Sequence, residues 1–202
     1  KMKILLTGFE PFGGSAVNPS EQAVKHLAAH QLADIELATA ILPVDRIRGP
    51  AELLQALEQY QPGAVICLGE AARRTAISIE RVAVNLLDFR IPDNSGQQVT
   101  DEQIIAGGPA AYFTTLPVRE MQRAIQQSGI PAELSLSAGA YLCNQVLYVL
   151  LHEIATRGLQ IPAGFIHLPL LPEQASRQNP SAASMSLDTM VAGIRIALAA
   201  VL

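Results

Sequence analysis

Short apolar runs alternate with amphipathic helical patterns along the chain, and this alternation strongly limits the possible folds. The apolar runs predict β-strands at "MKILLTGF", "DIELATAIL", "GAVICLG", "TAISIERVAVN", "AAYFTTL", "PAELSLS" and "AGFIHLPL". Helical patterns follow most of them, at "NPSEQAVKHLAAH", "GPAELLQALEQY", "PVREMQRAIQQSG", "LCNQVLYVLLHEIATRG" and "SLDTMVAGIRIALAAVL". Such alternation is typical of parallel βαβ units. We therefore predict an α/β fold whose functional residues follow the carboxyl ends of strands.

The size and composition of the chain narrow the function classes. A chain of 202 residues can bury one sizeable core, and it contains no repeat or linker, so we predict a single domain over residues 1–202. The net charge is −4 and Lys and Arg form no block, which gives a nucleic-acid partner little electrostatic support. No apolar run approaches the roughly 20 residues of a membrane span. We expect neither nucleic acid nor membrane as a partner.

The stretch "TGFEPFGG" follows the first predicted strand and resembles a phosphate-binding loop. Gly8, four residues and Gly13 match the first half of a P-loop, but Gly14 stands where the phosphate-binding lysine belongs. Glu10 adds a negative charge that repels phosphate. Two readings remain: a tight turn with core phenylalanines, or a small apolar pocket that the backbone approaches closely.

Two cysteines differ in their surroundings. Cys67 lies within the apolar run "AVICLG" and is expected to be a buried core residue. Cys143 opens a predicted helix, where free N–H groups and the helix dipole lower a thiol pKa and can form an oxyanion hole. Sequence alone leaves a disulfide between them open. With no Cys-x-x-Cys pair there is no zinc signature, and the low cysteine content favours the cytoplasm.

A nucleophilic thiol needs a base and a residue that orients it. His152 lies roughly 13 Å along the same helix from the cysteine, on the opposite face, and His26 and His30 fall on a solvated helix. His167 ends a predicted strand, where α/β sites form, although a structural role stays open. Glu80 is a carboxylate within an apolar segment, where it needs a partner unless it faces solvent.

Long motifs now identify a family resemblance. "KILLTGFEPFGG", "NPS", "ERVAVNLLDFRIPDNSG", "SAGAYLCN" and "GFIHLPLLPEQ" occur in order across nearly the whole chain, which resembles the pyroglutamyl peptidase I family of cysteine peptidases. The resemblance implies a three-layer α/β/α sandwich of the phosphorylase/hydrolase-like type. It also implies removal of an N-terminal pyroglutamate from peptides by a triad of Cys143, His167 and Glu80. The resemblance implies neither a metal nor an organic cofactor. It does imply a homo-oligomer, commonly a tetramer.

The resemblance also implies a substrate pocket. Phe9, Phe12 and Tyr141 take the places of its aromatic walls, Tyr141 where the family often has Phe. Further residues that the resemblance places at or near the pocket are Asn18, which supports the loop, Glu70, Arg90 and Ile91. Glu70 departs from the Gln or Leu expected there.

Two other functions compete with the peptidase reading. A nucleoside phosphorylase or hydrolase would share the fold type, but the opening loop lacks the cation that phosphate needs. A catalytically silent protein that binds capped N-termini would not require the cysteine, histidine and glutamate that this chain retains.

Overall fold

The computed structural model describes residues 1–202, and its central feature is a six-stranded sheet. Its strands lie in the order β2-β1-β3-β8-β4-β7. Their bounds are β1 Met2–Phe9, β2 Ile35–Leu42, β3 Ala64–Glu70, β4 Ile77–Glu80, β7 Ala132–Ser135 and β8 Ala163–Leu168. A separate antiparallel pair is formed by β5 Val82–Val84 and β6 Ala111–Phe113.

Helices cover both faces of the sheet. They are α1 Pro19–Ala28, α2 Arg48–Tyr60, α3 Val118–Gln127, α4 Leu142–Arg157, the short α5 Pro172–Ala175 and α6 Leu187–Ala199. One buried cluster joins the sheet to α1, α3 and α6, and a second joins its other face to α2 and α4. The predicted three-layer α/β/α architecture is thus confirmed. No helix combines the length and apolar character that a bilayer crossing requires.

The sheet is mixed: the parallel pairing indicated by the alternation of strands and helices holds for four of its five strand pairs. β1, β2, β3 and β8 run parallel to one another, whereas β4 pairs with β8 in the antiparallel sense. β7 runs parallel to β4 at the edge of the sheet. The predicted long strand "TAISIERVAVN" is also divided. β4 belongs to the large sheet and β5 to the small one, with Arg81 between them.

The carboxyl ends of β1, β3 and β8 meet at one edge of the sheet, where α1 and α4 begin. Asn18 caps α1: its Oδ1 accepts from the Ser20 amide at 2.9 Å. β1 passes so close to the first turn of α1 that a Cβ on Gly8 would lie 2.6 Å from the Ser20 carbonyl oxygen. Glycine is therefore required for this approach, which places the opening loop beside the starts of α1 and α4.

Candidate active site

Cys143 lies in the first turn of α4, as its second residue. The amides of Leu142, Cys143 and Asn144 have no backbone acceptor, as expected for a helix N-terminus. The turn is fixed by buried Asn144, whose Oδ1 accepts from the Val84 amide at 2.9 Å and whose Nδ2 donates to the Val84 and Leu86 carbonyls. β5 thereby holds the start of α4 and sets the position of the thiol.

The sulfur of Cys143 packs directly over Gly69 of β3. A Cβ at Gly69 would lie 2.8 Å from Cys143 Sγ and 2.6 Å from the Phe165 ring. In the β3–β8 ladder, Gly69 is the register partner of His167. The missing side chain at Gly69 thus makes room for the thiol next to the strand that bears the imidazole.

His167 is buried and hydrogen-bonded to Glu80. Its Nδ1 lies 2.7 Å from Glu80 Oε1, and Glu80 is fully buried. Because a carboxylate only accepts, Nδ1 is the protonated nitrogen of neutral His167 and Nε2 is left as a base. The Phe165 ring packs against the imidazole with a centroid distance of 4.8 Å. No hydrogen bond joins His167 to Cys143 in this structure.

Burial raises the pKa of the Cys143 thiol well above its usual range, and the negative charges of Glu80 and Glu70 raise it further. The amide at the helix start acts in the opposite direction but is outweighed. The expectation of a lowered pKa, based on helix position alone, is therefore wrong for the resting site. Desolvation keeps the thiol neutral until a base takes its proton.

Cys67 behaves as expected of a core residue. It is fully buried in β3, and burial raises the pKa of its thiol to about 12. Both cysteines are free thiols, so the disulfide that the sequence left open is absent. Of the two, only Cys143 reaches a cavity.

A narrow cavity lies in front of Cys143, and its free volume of about 10 Å³ has room for about one water molecule. The walls are mostly apolar. They are formed by Phe9, Phe12, Asn18, Val44, Glu70, Tyr141, Leu142 and Cys143. Tyr141 packs edge-on against Phe89 at 4.6 Å and lies 6.1 Å from Phe12. Walls of this kind suit a small, compact, largely uncharged group.

Comparison with known proteins agrees with this geometry. A family model described as pyroglutamyl peptidase matches residues 2–202. The chain belongs to the pyroglutamyl peptidase family. It is 51% identical over 194 residues to the pyrrolidone-carboxylate peptidase of Vibrio vulnificus strain CMCP6, covering 96% of this chain and 90% of that one. The corresponding protein of Coprothermobacter proteolyticus is 44% identical over 97% of this chain and 95% of its own length.

Solved structures of the pyroglutamyl peptidase family have the same fold. Pyroglutamyl peptidase I of Bacillus amyloliquefaciens superimposes with a TM-score of 0.95 at 42% identity, over 100% of this chain and 97% of that one. The pyrrolidone carboxyl peptidase of Thermococcus litoralis gives a TM-score of 0.95 at 41% identity, over 100% and 93% of the two chains.

Five of the seven predicted pocket residues of this pyroglutamyl peptidase family member line the cavity: Phe9, Phe12, Asn18, Glu70 and Tyr141. Ile91 lies outside it, 41% exposed, and lines an adjoining cleft with Phe12 and Glu70. Arg90 is exposed, lines neither space and makes no hydrogen bond or ion pair.

Polar contacts fix the loops that form the cavity. Glu10 turns away from it, and its Oε1 accepts from the Val44 amide at 3.0 Å and from Asn94 Nδ2 at 2.9 Å. The hydroxyl of Tyr141 donates to the Pro92 carbonyl at 3.0 Å. Asn18 Nδ2 donates to the Glu10 carbonyl, so its side chain supports the loop as the resemblance implies.

Glu70 is the one charged wall of the cavity. Its Oε2 accepts from Gln174 Nε2 at 2.7 Å, whereas its Oε1 has no hydrogen-bond partner. Burial raises the pKa of this carboxyl, and the bond from Gln174 partly opposes that rise. The structure contains no cluster of three or more His, Cys, Asp or Glu that could hold a metal ion.

Sequence reasoning missed several residues of the site. Val44 follows the end of β2, so the rule about strand ends could have identified it. Gln174 belongs to the motif "GFIHLPLLPEQ" and lies in the short α5, where its Nε2 donates to Glu70, Ser15 and the Val17 carbonyl. Arg74, whose guanidinium donates to Glu80 Oε1 at 3.4 Å, had no local signal in the sequence.

Proposed function

We propose that this protein is a cysteine peptidase that hydrolyses the amide bond after an N-terminal pyroglutamyl residue. Cys143 is the nucleophile, His167 the general base and acid, and Glu80 the residue that orients the imidazole. The observation that carries this proposal is the placement of the Cys143 sulfur over Gly69, opposite a histidine whose other nitrogen is bonded to a fully buried carboxylate. Membership of the pyroglutamyl peptidase family supports the substrate class.

The walls of the cavity suit the pyroglutamyl ring, and they must move apart to admit it, because the free volume of the cavity in this structure is about 10 Å³. That ring is a five-membered lactam, compact and uncharged, with one N–H and one C=O. Phe9, Phe12 and Tyr141 bury its faces, and the free Oε1 of Glu70 accepts the lactam N–H. A proline ring lacks the lactam carbonyl, and each polar group that it left unpaired would cost about 1–3 kcal/mol. Asn18 and Ile91 act by fixing the cavity wall and its mouth.

Acylation starts with transfer of the Cys143 thiol proton to His167 Nε2, as the sulfur attacks the pyroglutamyl carbonyl carbon. The thiol and the imidazole are not bonded at rest, and such contacts commonly tighten once substrate is bound. The free amides at the start of α4 stabilise the oxyanion. The intermediate then collapses to a thioester, and His167 returns the proton to the departing peptide amine. Glu80 stabilises the imidazolium between these steps.

Deacylation repeats the same proton movements with water. His167 removes a proton from a water molecule that attacks the thioester carbon, and the same amides stabilise the second oxyanion. Collapse releases free pyroglutamate, and the imidazolium reprotonates the departing sulfur. Each turnover therefore restores the starting protonation states of Cys143 and His167.

A chromogenic pyroglutamyl amide tests the proposal directly. Wild-type protein should release the chromophore, and a thiol-alkylating reagent should stop it. Cys143→Ala should abolish turnover with unchanged circular dichroism. Cys67→Ala is the matched control, because that thiol is buried away from the cavity, and it should lower thermal stability but retain turnover. Normal turnover by Cys143→Ala would disprove the assignment of the nucleophile.

We further infer a single domain over residues 1–202 that acts in the cytoplasm as a homo-oligomer. A tetramer is the assembly that the family resemblance implies. Two core clusters on opposite faces of one sheet support the single domain. Phe113 is 69% exposed beside an apolar groove at the end of α4, which supports association. Sedimentation equilibrium measures the oligomeric state of the wild type and of Phe113→Asp, and the substitution should weaken association. A wild type that is monomeric at all concentrations would contradict the proposed homo-oligomer.

A further inference from the structure

Behind the His167–Glu80 pair lies a group of charged and hydroxyl side chains that the proposed reaction does not use. Arg74, in the segment between β3 and β4, is its centre. Its guanidinium donates to Glu80 Oε1 at 3.4 Å, Ser135 Oγ at 2.9 Å, the Ser137 carbonyl at 3.1 Å and Glu133 Oε1 at 3.1 Å. These acceptors lie on β4, on β7 and on the segment that leads to α4. A single side chain thus joins three parts of the chain around the site.

Glu80 depends on this contact. It is fully buried, and its Oε1 accepts from both His167 and Arg74, whereas its Oε2 has no hydrogen-bond partner. Apart from the imidazole, Arg74 is the only group with positive charge in contact with the carboxylate. A buried carboxylate is costly unless a cation or donors compensate it. Arg74 supplies both at the oxygen that holds the imidazole.

The other charged groups around the pair are negative or neutral. Glu133 of β7 bonds to Arg74 and accepts from Ser78 Oγ at 2.7 Å. Glu70 of β3 and Cys143 of α4 face the site from the other side. Ser78 is the register partner of His167 in the β4–β8 ladder. Arg74 is therefore one cation among three carboxylates.

On the basis of the peptidase activity proposed above, we propose that Arg74 is a positioning residue. It aligns the Glu80 carboxylate on His167 and offsets the negative charge of Glu80 and Glu133. Without its charge, the site binds a proton more readily, and the form of the enzyme with a free base becomes populated only at higher pH. The acidic limb of the kcat/KM profile reports this directly.

The test compares Arg74→Gln, Arg74→Lys and Glu133→Gln on a pyroglutamyl chromogenic amide between pH 5 and 9. Loss of the cation in Arg74→Gln should move the acidic limb up by about 0.5–1 pH unit, less than for a fully buried charge pair because Arg74 is 29% exposed. kcat should fall about tenfold with KM within twofold. Arg74→Lys should keep the acidic limb near its wild-type position, with a lower plateau because the planar fork is lost. Glu133→Gln removes an anion and should move the limb in the opposite direction.

The outcomes are separable. An acidic limb that stays in place in Arg74→Gln, with circular dichroism like that of wild type, overturns the proposal while the peptidase assignment stands. If Arg74→Gln does not fold, Arg74→Lys and Glu133→Gln decide, and a limb that moves up with lysine or does not move down with Glu133→Gln overturns it. Absence of turnover by wild-type protein would instead refute the peptidase proposal itself.

Discussion

Gly69→Ala adds one methyl group under the nucleophile and should damage catalysis far more than folding. The added carbon would lie 2.8 Å from Cys143 Sγ and 2.6 Å from the Phe165 ring. Comfortable separations are about 3.5–4.0 Å, so the sulfur or the strand must move by roughly 1 Å. Overpacking of this size costs about 1–3 kcal/mol in stability, and a 1 Å error in placing a reacting atom costs about a hundredfold in rate.

The assay measures kcat/KM on a pyroglutamyl chromogenic amide, the rate of Cys143 alkylation, and Tm. We expect kcat/KM to fall about a hundredfold, with a Tm lower by about 2–12 °C, since each kcal/mol shifts the Tm of a chain of this length by about 2–4 °C. Gly164→Ala is the matched control. Its added methyl would collide with Thr114 and Leu116, which do not line the cavity. It should lower Tm comparably while kcat/KM stays within threefold of wild type.

Equal kcat/KM values for Gly69→Ala and Gly164→Ala would refute this reasoning. Such a result would mean that the sulfur has space to move without loss of function, or that the reaction does not take place at Cys143. A large loss of folded protein in Gly69→Ala would be visible by circular dichroism, and kcat/KM is then calculated per alkylatable Cys143.

Three further predictions concern the cavity walls. Tyr141→Phe removes the hydrogen bond to Pro92, worth about 0.5–1.5 kcal/mol, and should raise KM about two- to tenfold with kcat little changed; an unchanged KM would show that the hydroxyl does not fix the wall. For Glu70, burial raises the pKa of the carboxyl, so its charge is lost as pH falls through that raised value and wild-type KM should increase there; Glu70→Gln should show a KM that is flat over the same pH range, and a parallel rise in both proteins would contradict the role as acceptor. Glu10→Ala frees the Val44 amide and Asn94, so we expect higher KM and faster proteolysis of the loops, measured by limited digestion, whereas wild-type resistance would argue against the anchor.

Local patterns predicted most of the fold because hydrophobic periodicity and helix-end residues are local signals. Strand direction is not encoded in periodicity, and the antiparallel pairing of β4 with β8 was not predicted. Only six residues, 71–76, separate β3 from β4. A parallel crossover needs a dozen or more, so the spacing itself indicated that β4 reverses direction.

The site could be predicted in part for the same reason. Cys143 and His167 occupy positions that general rules mark, a helix start and a strand end. Glu80 was a candidate as a carboxylate within an apolar segment, and the family resemblance implied its role in the triad. The contacts of Arg74 could not be predicted, because its four acceptors come from segments up to 63 residues away. The thiol pKa was misjudged because a helix start is visible in sequence, whereas the amount of solvent around a sulfur is not.

The position of β8 in the sheet has a consequence for when the folding chain gains its active site. This strand is the last to be synthesised, yet it lies between β3 and β4 in the middle of the sheet. Without residues 163–168, β3 and β4 have no strand to join them, and the edges left unpaired could pair with other chains. Insertion of β8 joins these two strands and delivers His167 to Glu80 and Cys143 in one event. A nascent chain therefore has a thiol but no base, and proteolytic competence coincides with completion of the fold.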